Sequence, residues 1–316
     1  MASAYTLVLH GGAGTIAPGS AADEAPYREA LRGALAAGEA VLAGGGSALD
    51  AVVATVVWLE ECPLFNAGRG AVFTAEAKHE LNAGVMDGRT LAAGAVAGVR
   101  TIRNPIRAAL EVMRDGRSVV LGGDGAEEFA RERGLELVDP SWFSTERRLA
   151  QLRTVQAQGG QRAVVDHDVA AAVDENAQRF GTVGAVARDR HGHLAAATST
   201  GGLTNKMPGR LSDSSMVGAG VYANDATCAV SSTGTGEHFI RGCVAHDIHA
   251  RMLFLGEDMA RAAQQSIDLA LAPIGGRGGV IAVDREGRVA MPFNSTGMYR
   301  ARVCEGSAPN VSIFAD

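Results

Sequence analysis

The sequence has 316 residues, of which 47% are hydrophobic, and its formal net charge at pH 7 is −6. This length is enough to bury a substantial core, in one large domain or in two closely joined ones. Acidic and basic residues are mixed along the chain without a basic run, which argues against a nucleic-acid-binding surface.

The cysteines and the N-terminal residues indicate the cellular compartment. Cys62, Cys228, Cys243 and Cys304 form no close Cys-x-x-Cys pair, so we expect reduced thiols rather than a zinc site or a disulfide framework. The apolar run at residues 5–9 has no basic segment before it and is expected to be a strand, not a signal peptide. No apolar run approaches the roughly 20 residues of a membrane-spanning helix. We therefore expect a cytoplasmic protein that binds neither membranes nor nucleic acids.

The first half of the chain predicts helices with short strands between them. Residues 23–42 are expected to form a helix, because Pro26 suits a first turn and the glycines at 44–46 end the pattern. Ser47 is expected to cap a second helix, with Asp50 three residues later as in a capping box. The other elements predicted before residue 155 are short strands at 72–73, 81 and 85–86, a strand at 92–99, and helices at 105–113 and 126–133.

Residues 155–180 lose this periodicity and lead to a threonine. Glutamine, glycine, aspartate and alanine dominate the stretch, so we expect a solvated linker. Thr182 follows Gly181 at its end, and two interpretations are open. Thr182 either begins an ordinary strand or becomes an N-terminal nucleophile when the Gly181–Thr182 bond is cleaved. In the second case the freed α-amine, with an unperturbed pKa of about 7.7–8.0, would act as the base for the hydroxyl.

The second half of the chain has a clear pattern of hairpins and helices. The predicted elements are a hairpin at 183–199, a strand pair at 216–222 and 226–232, helices at 236–255 and 259–271, and a final hairpin at 279–291. Such a succession predicts an α+β fold in which two sheets lie face to face with helices outside. We therefore expect a four-layer αββα sandwich of two antiparallel sheets flanked by helices.

Hydroxyl groups and glycines are concentrated in two segments after Thr182. Residues 198–202 end one predicted strand, and residues 231–237 join a strand to a helix. Backbone N–H groups at such a helix start can stabilise a developing oxyanion. Between these segments, Arg210 and Asp213 lie in one loop, where they could hold a zwitterionic ligand or form an ordinary ion pair. His10 and the other scattered histidines have no evident partner in the sequence.

Together these segments resemble the plant-type L-asparaginase and isoaspartyl peptidase family of N-terminal-nucleophile hydrolases. The likeness extends from Leu-Val-Leu-His-Gly-Gly-Ala-Gly at residues 7–14 to Pro-Phe-Asn-Ser-Thr-Gly-Met-Tyr-Arg at residues 292–300. Its most specific motifs are Gly-Thr-Val-Gly-Ala-Val-Ala at 181–187, Ala-Thr-Ser-Thr-Gly-Gly at 197–202 and Thr-Gly-Thr-Gly-Glu at 233–237. They follow the family's order and spacing. The resemblance implies the N-terminal-nucleophile fold and self-cleavage between Gly181 and Thr182.

The resemblance also implies roles for the catalytic residues. Thr182 would be the nucleophile, its freed amine the general base, and Thr200 the hydroxyl that orients and activates it. Thr233, through its hydroxyl, and Gly234, through its backbone N–H, would form the oxyanion pair. The chemistry implied is attack of Thr182 on the β-carbonyl of asparagine or of an isoaspartyl dipeptide, with a β-aspartyl ester that water then hydrolyses.

Substrate binding is implied in the same way. Arg210 matches the arginine that binds the substrate α-carboxylate. Asp213 and the carbonyl oxygen of Gly236 match the acceptors for the α-ammonium group. The family likeness therefore implies a small amino acid or dipeptide as substrate and requires no organic cofactor.

Residues 59–70, here called the cation loop, resemble the family's sodium loop, in which backbone carbonyls coordinate the ion. The implied ligands are the carbonyl oxygens of Leu59, Glu60, Cys62, Phe65, Ala67 and Arg69. Arg69 departs from the apolar residue that close relatives often carry. The family likeness further implies a single domain, residues 1–316, matured into residues 1–181 and 182–316, and a homodimer of these processed units.

Two other functions are compatible with the same residues. A glycosylasparaginase shares the fold group, but such enzymes are normally lysosomal or secreted, and no signal peptide is expected here. A non-catalytic binder of small amino acids would keep the pocket and remain a single chain. Cleavage at Thr182 separates the binder from the enzymes.

Overall fold

The computed structural model describes residues 4–14, 19, 21–157 and 181–315. The helices in these ranges are α1 (Ala21–Ala43), α2 (Ala48–Glu61), α3 (Pro105–Asp115), α4 (Gly123–Glu132), α5 (Glu146–Ala157), α6 (Gly236–Gly242), α7 (Val244–Leu255) and α8 (Met259–Gln265). The strands are β1 (Thr6–Gly14), β2 (Leu81–Asp87), β3 (Ala93–Val99), β4 (Val120–Gly122), β5 (Val183–Arg188), β6 (Leu194–Thr200), β7 (Val221–Ala223), β8 (Cys228–Gly234), β9 (Gly278–Asp284), β10 (Val289–Ala290), β11 (Gly297–Cys304) and β12 (Asn310–Phe314). Each helix in the described part of the chain is too short or too polar to span a membrane.

The strands form two sheets that pack face to face. Within the described ranges, the larger sheet has the order β12-β11-β1-β5-β6-β2-β3-β4 and the smaller the order β10-β9-β8-β7. Neighbouring strands are antiparallel apart from β3 and β4, a parallel pair at one edge. Helices α1, α2 and α3 cover the outer face of the larger sheet, and α7 and α8 cover that of the smaller one. The predicted αββα sandwich is confirmed.

Alternating side chains on β1 place two hydrophobic cores on opposite faces of the larger sheet. Leu7 and Leu9 pack beneath the outer helices, whereas Val8 packs against the smaller sheet. This follows from the two-residue period of a strand. His10, two residues after Val8, therefore faces the gap between the sheets.

The single helix predicted at 236–255 is wrong. Helix α6 ends at Gly242 and α7 begins at Val244, because Cys243 between them has a positive φ of 46°. This left-handed conformation is uncommon for a residue other than glycine and interrupts the helical hydrogen bonding. The helix predicted at 259–271 is α-helical only to Gln265 and continues as a π-helix at Ser266–Leu271.

Helix α5 and the C-terminal strands β11 and β12 have no counterpart among the predicted elements. Strand β11 lies beside β1 along nearly its whole length and extends the larger sheet toward β12. Because α5 extends to Ala157, the first three residues assigned to the linker are helical. The rest of the predicted linker, residues 158–180, lies outside the described residues.

A buried carboxyl group joins the outer helices to the larger sheet. Oε1 of Glu60, near the end of α2, accepts hydrogen bonds from Ser199 Oγ on β6 at 2.6 Å and from the backbone N–H of Ile106 on α3 at 3.1 Å. Oε2 is buried without a hydrogen-bond partner among the described residues. Burial raises the pKa of Glu60 to about 8, so the group is mostly neutral at pH 7. A neutral acid avoids much of the desolvation cost that a buried carboxylate would incur.

Candidate active site

Thr182 and Thr200 lie at adjoining strand ends in the larger sheet. Strands β5 and β6 pair with Val183 opposite Ser199, and continuing this register by one residue places Thr182 opposite Thr200. Residues directly opposite in an antiparallel pair have Cα atoms about 4.5–5.5 Å apart and side chains on the same face. Both threonines are buried, and Thr200 Oγ1 accepts a hydrogen bond from the backbone N–H of Gly202 at 3.0 Å.

Thr233 reaches the same region from the smaller sheet. Its Oγ1 accepts a hydrogen bond from the backbone N–H of Ala13 on β1 at 3.1 Å. The preceding residue, Gly12, has a φ of 115°, and a Cβ atom there would lie 2.5 Å from the backbone nitrogen of Gly181. Glycine therefore allows β1 to approach the backbone just before Thr182. The hydroxyl of Thr233 is held next to this contact.

His10, for which the sequence suggests no partner, contacts Thr182 directly. The ring is fully buried, with Nδ1 3.0 Å from the carbonyl oxygen of Thr182 and Nε2 2.9 Å from Ser231 Oγ. Burial lowers the pKa of His10 to about 3, so the imidazole is neutral near pH 7. This partner is not evident in the sequence, because the contact joins residues 172 positions apart in the chain.

Gly234 and Gly236 lie on either side of the junction between β8 and α6. Gly234 has a φ of 149°, and a Cβ atom there would lie 2.2 Å from the carbonyl oxygen of Arg277. A Cβ atom on Gly236 would lie 2.7 Å from Asp213 Oδ1 and 3.0 Å from Arg210 Nη2. The absence of a side chain at Gly234 allows the junction to approach the backbone of Arg277, and its absence at Gly236 allows the junction to approach Arg210 and Asp213.

The guanidinium of Arg210 is held along one edge. Its Nε and Nη2 donate to the two carboxylate oxygens of Glu237 at 2.8 and 2.9 Å. The other edge, formed by Nη1 and Nη2, faces glycines. Nη1 is 3.1 Å from the position of a Cβ atom on Gly202, and Nη2 is 3.0 Å from that on Gly236. Because neither glycine has a side chain, space remains beside this edge of the guanidinium, whose orientation is fixed by Glu237. This geometry is suited to a ligand carboxylate.

Asp213 lies on the other side of this space. Its side chain is buried, and its Oδ2 has no hydrogen-bond partner within the described ranges. Burial raises the pKa of Asp213 to about 7, although the positive charge of Arg210 opposes the shift. A buried carboxyl group with a free acceptor beside a guanidinium is suited to a ligand ammonium group, which would favour its ionised form.

Lys206 and Glu80 anchor the loop that carries Arg210. The fully buried Nζ of Lys206 donates to the carbonyl oxygens of Glu80 at 2.5 Å and of Gly201 at 2.8 Å. Oε2 of Glu80 accepts a hydrogen bond from the backbone N–H of Gly209 at 2.8 Å. Burial, together with the charge of Arg210, lowers the pKa of Lys206 to about 7. These bonds fix the backbone on both sides of the loop, beside the end of β6.

The cation loop is partly buried, with residues 65–68 buried and Pro63 and Arg69 exposed. The Glu60 carbonyl accepts a hydrogen bond from the Arg69 N–H at 2.7 Å, while the contacts from Cys62 N to the Leu59 oxygen and from Phe65 N to the Cys62 oxygen are longer, at 3.3 and 3.4 Å. Each carbonyl has a second lone pair for a cation. Residues 62–70 include no carboxylate, so the set is neutral and all-oxygen. Such a set fits a monovalent cation better than a dedicated divalent site.

Arg69 and Asn66 connect the cation loop to residues outside it. The guanidinium carbon of Arg69 lies 5.1 Å from the ring centre of Trp142, a cation–π distance. The positive charge of Arg69 is thus accommodated by an aromatic ring. Asn66 Nδ2 donates to the Gly202 carbonyl at 2.8 Å, and Gly201 N donates to the Asn66 carbonyl at 3.0 Å. The loop therefore supports the backbone immediately after β6. Among the described residues, no three His, Cys, Asp or Glu side chains are arranged to hold a metal ion.

Comparison with known proteins identifies the family of this chain. The family model described as asparaginase matches residues 3–313. The isoaspartyl peptidase of Escherichia coli strain K12 is 52% identical over 312 residues, covering 98% of this chain and 96% of that protein. The isoaspartyl peptidase/L-asparaginase of Danio rerio is 39% identical over 306 residues, covering 95% of this chain and 92% of that protein. That of Mus musculus is 38% identical over 300 residues, covering 95% and 88%. The resemblance found in the sequence motifs is confirmed, and the chain belongs to the asparaginase family.

Proposed function

We propose that this protein hydrolyses the side-chain amide bond of L-asparagine and the corresponding bond of isoaspartyl dipeptides. The observation that carries the proposal is the placement of three buried threonines, one just before β5, one at the end of β6 and one on β8, near the loop that carries Arg210 and Asp213. The names of the relatives, isoaspartyl peptidase and isoaspartyl peptidase/L-asparaginase, agree with it.

Maturation by self-cleavage is the first step of the proposal. The Thr182 hydroxyl attacks the carbonyl carbon of Gly181, the C–N bond breaks, and the nitrogen takes up a proton as it leaves. Water then hydrolyses the resulting ester, which leaves a carboxylate on Gly181 and a free α-amine on Thr182. The close approach of Gly12 to Gly181 supports a constrained backbone at this bond.

Catalysis by the matured enzyme uses the same hydroxyl. The freed amine takes the proton of Thr182 Oγ1, which attacks the substrate β-carbonyl and forms a β-aspartyl ester with loss of the leaving amine. Thr200 orients the nucleophile. The hydroxyl of Thr233 and the N–H of Gly234 stabilise the oxyanion. Removal of one such donor typically lowers kcat by a factor of about 10²–10³. Water then hydrolyses the ester.

Specificity depends on recognition of the α-carboxylate and α-ammonium groups of the substrate. The Nη1–Nη2 edge of Arg210 binds the α-carboxylate, and Asp213 with the Gly236 carbonyl accepts from the α-ammonium group. The scissile bond must then lie on the side chain, which selects β-amides of aspartate over ordinary α-peptides. Glutamine, one methylene longer, places its carbonyl beyond Thr182 and is a poor substrate. A sodium ion held by the cation loop is structural, and two processed units form a homodimer, which sedimentation at several concentrations would detect or exclude.

Cleavage at Thr182 is the most direct test of maturation. Intact-mass analysis of active wild-type protein is expected to give two chains, residues 1–181 and 182–316. Thr182→Ala removes the attacking hydroxyl and is expected to remain a single, inactive chain. Thr6→Ala is the control, because Thr6 is also a buried threonine on a strand. It lies at the opposite end of β1 from Gly12, and its hydroxyl donates to the carbonyl oxygen of Gly287. This variant should be cleaved and active. Full activity in an uncleaved 316-residue chain would refute the proposal.

Arg210→Lys tests whether Arg210 binds the α-carboxylate of the substrate. A lysine cannot reproduce the planar edge of the guanidinium, so kcat/KM for isoaspartyl dipeptides is expected to fall about 10²-fold while cleavage at Thr182 continues. Arg302→Lys, on an exposed position of β11, is the matched control and should leave both unchanged. Wild-type enzyme that hydrolyses N-acetylated asparagine or α-aspartyl dipeptides as fast as isoaspartyl dipeptides would show that this pair is not the anchor.

Exchange of sodium for a bulky organic cation tests the cation loop. An ion that binds only the folded state stabilises it by mass action, so the Tm is expected to fall when tetramethylammonium replaces sodium at equal ionic strength. Arg69→Leu should keep this dependence, because the ligands are backbone oxygens. A Tm that does not respond to the exchange would contradict a bound cation.

A further inference from the structure

A chain of buried polar groups lies directly below Thr182 and crosses the gap between the sheets. Its first member, His10 on β1, contacts the carbonyl oxygen of Thr182 through Nδ1 and the hydroxyl of Ser231 on β8 through Nε2. Ser231 Oγ is 2.7 Å from Thr198 Oγ1 on β6, which lies 3.0 Å from the carbonyl oxygen of Gly220. All three side chains are fully buried.

This chain contacts each of the strands that carry a proposed catalytic threonine. Thr198 is two residues before Thr200 on β6, and Ser231 is two residues before Thr233 on β8. Because strand side chains repeat every two residues, each pair faces the same side of its sheet. His10 is therefore bonded directly to the residue of the nucleophile and, through hydroxyl groups, to the strands of its two partners.

The space for the imidazole is created by a glycine on β5. Gly184 lies opposite His10 in the pairing of β1 with β5. A Cβ atom on Gly184 would lie 2.0 Å from Ser231 Oγ and 2.6 Å from His10 Nε2. Such distances exclude any side chain at this position without rearrangement. Strand β5, which directly follows Thr182, thus requires glycine at position 184 to leave room for the His10–Ser231 contact.

We propose that His10 is a positioning residue for the nucleophile: its Nδ1–H···O bond to the Thr182 carbonyl fixes the main chain from which the reacting hydroxyl and amine project. The proposal rests on the proposed function, in which Thr182 is the nucleophile. A carbonyl oxygen only accepts, so Nδ1 carries the proton and Nε2 of the neutral ring accepts from Ser231. Neither nitrogen has a lone pair free for the substrate. His10 therefore acts through Thr182 and is not the general base.

The consequence for catalysis is geometric. A reacting group misplaced by about 1 Å can cost about 10²-fold in rate, and Thr182 becomes a chain end after cleavage, without a preceding residue to restrain it. After maturation the bond from His10 is a restraint on Thr182 that cleavage does not remove. Loss of this restraint should lower kcat more than it raises KM, because Arg210 and Asp213 hold the substrate independently.

Substitutions at His10 separate positioning from stability. In asparagine the amide nitrogen is two bonds from Cβ, as Nδ1 is in histidine, so His10→Asn keeps a donor for the Thr182 carbonyl. His10→Leu removes it. We expect His10→Leu to lower kcat per cleaved molecule about 10- to 100-fold with little change in KM, and to slow cleavage of the precursor. His10→Asn should recover kcat to within about threefold of wild type.

His79 provides the matched control. It is also buried, with Nδ1 3.2 Å from the Val72 carbonyl oxygen and Nε2 3.0 Å from Ser144 Oγ, but it does not contact Thr182. His79→Leu and His79→Asn should lower the Tm to a similar degree as the His10 variants and leave kcat per cleaved molecule unchanged.

Several outcomes would overturn the proposal. Equal kcat values for His10→Leu and His79→Leu, or no recovery in His10→Asn, would show that His10 has only a structural role. If His10→Leu does not fold, His10→Gln replaces it, because its amide nitrogen is placed near Nε2 rather than Nδ1. His10→Gln matching or exceeding His10→Asn in kcat would then contradict the assignment. Wild-type protein that is neither cleaved nor active would instead refute the proposed function itself.

Discussion

The antiparallel pairing of β5 with β1 and β6 is the constraint on which the site depends. Strand β5 lies between these two neighbours in the larger sheet, and its register with both determines where Thr182 lies. A shift by one residue would turn every side chain of β5 to the opposite face. Thr182 would then point toward the outer helices instead of the gap between the sheets. The contact of Gly184 with His10 and Ser231 opposes such a shift, because no other residue type fits there.

Polar groups that are usually exposed are buried around this register, and each is held in a different way. The pKa of Glu60 is raised and that of His10 is lowered by burial, so both groups are neutral near pH 7. Lys206 is held by two backbone carbonyls. Asp213, like Glu60, has one oxygen without a partner among the described residues, but the carboxyl group of Asp213 lies beside the guanidinium of Arg210. An unsatisfied buried acceptor is costly in the free protein, and a ligand ammonium group would remove that cost. The unpartnered oxygen of Asp213 therefore supports the proposed binding of a substrate ammonium group.

The sequence predicts the layers of the fold and the polar strand ends well, because both depend on local patterns. Two short apolar runs separated by a turn sequence identify β5 and β6, and the Ser47–Asp50 cap is present as expected, with Ser47 Oγ accepting from Asp50 N at 3.1 Å. The break at Cys243 is not predictable in the same way, because the helical periodicity continues across it. Its left-handed backbone is not indicated by the residue type, because residues other than glycine seldom adopt a positive φ.

Long-range contacts account for what the sequence does not predict at the site. The partners of His10 lie 172 and 221 residues away, so no local pattern reveals them. Lys206 and Glu80 likewise meet only through the folded loop. Glu237 is at the end of a recognised motif, but its role as the partner of Arg210 requires the structure. Sequence motifs thus identify the residues proposed to react, whereas the residues that hold them are found only in three dimensions.

In the proposed mechanism, the Thr182 hydroxyl carries the acyl group of the substrate during turnover. Acid quenching of enzyme that is hydrolysing an isoaspartyl dipeptide, followed by intact-mass analysis and peptide mapping, measures this directly. We expect a fraction of the chain comprising residues 182–316 to gain the mass of one aspartyl group, located on Thr182. An aspartyl group attached to any other residue, or turnover by protein in which residue 182 has no free α-amine, would contradict it.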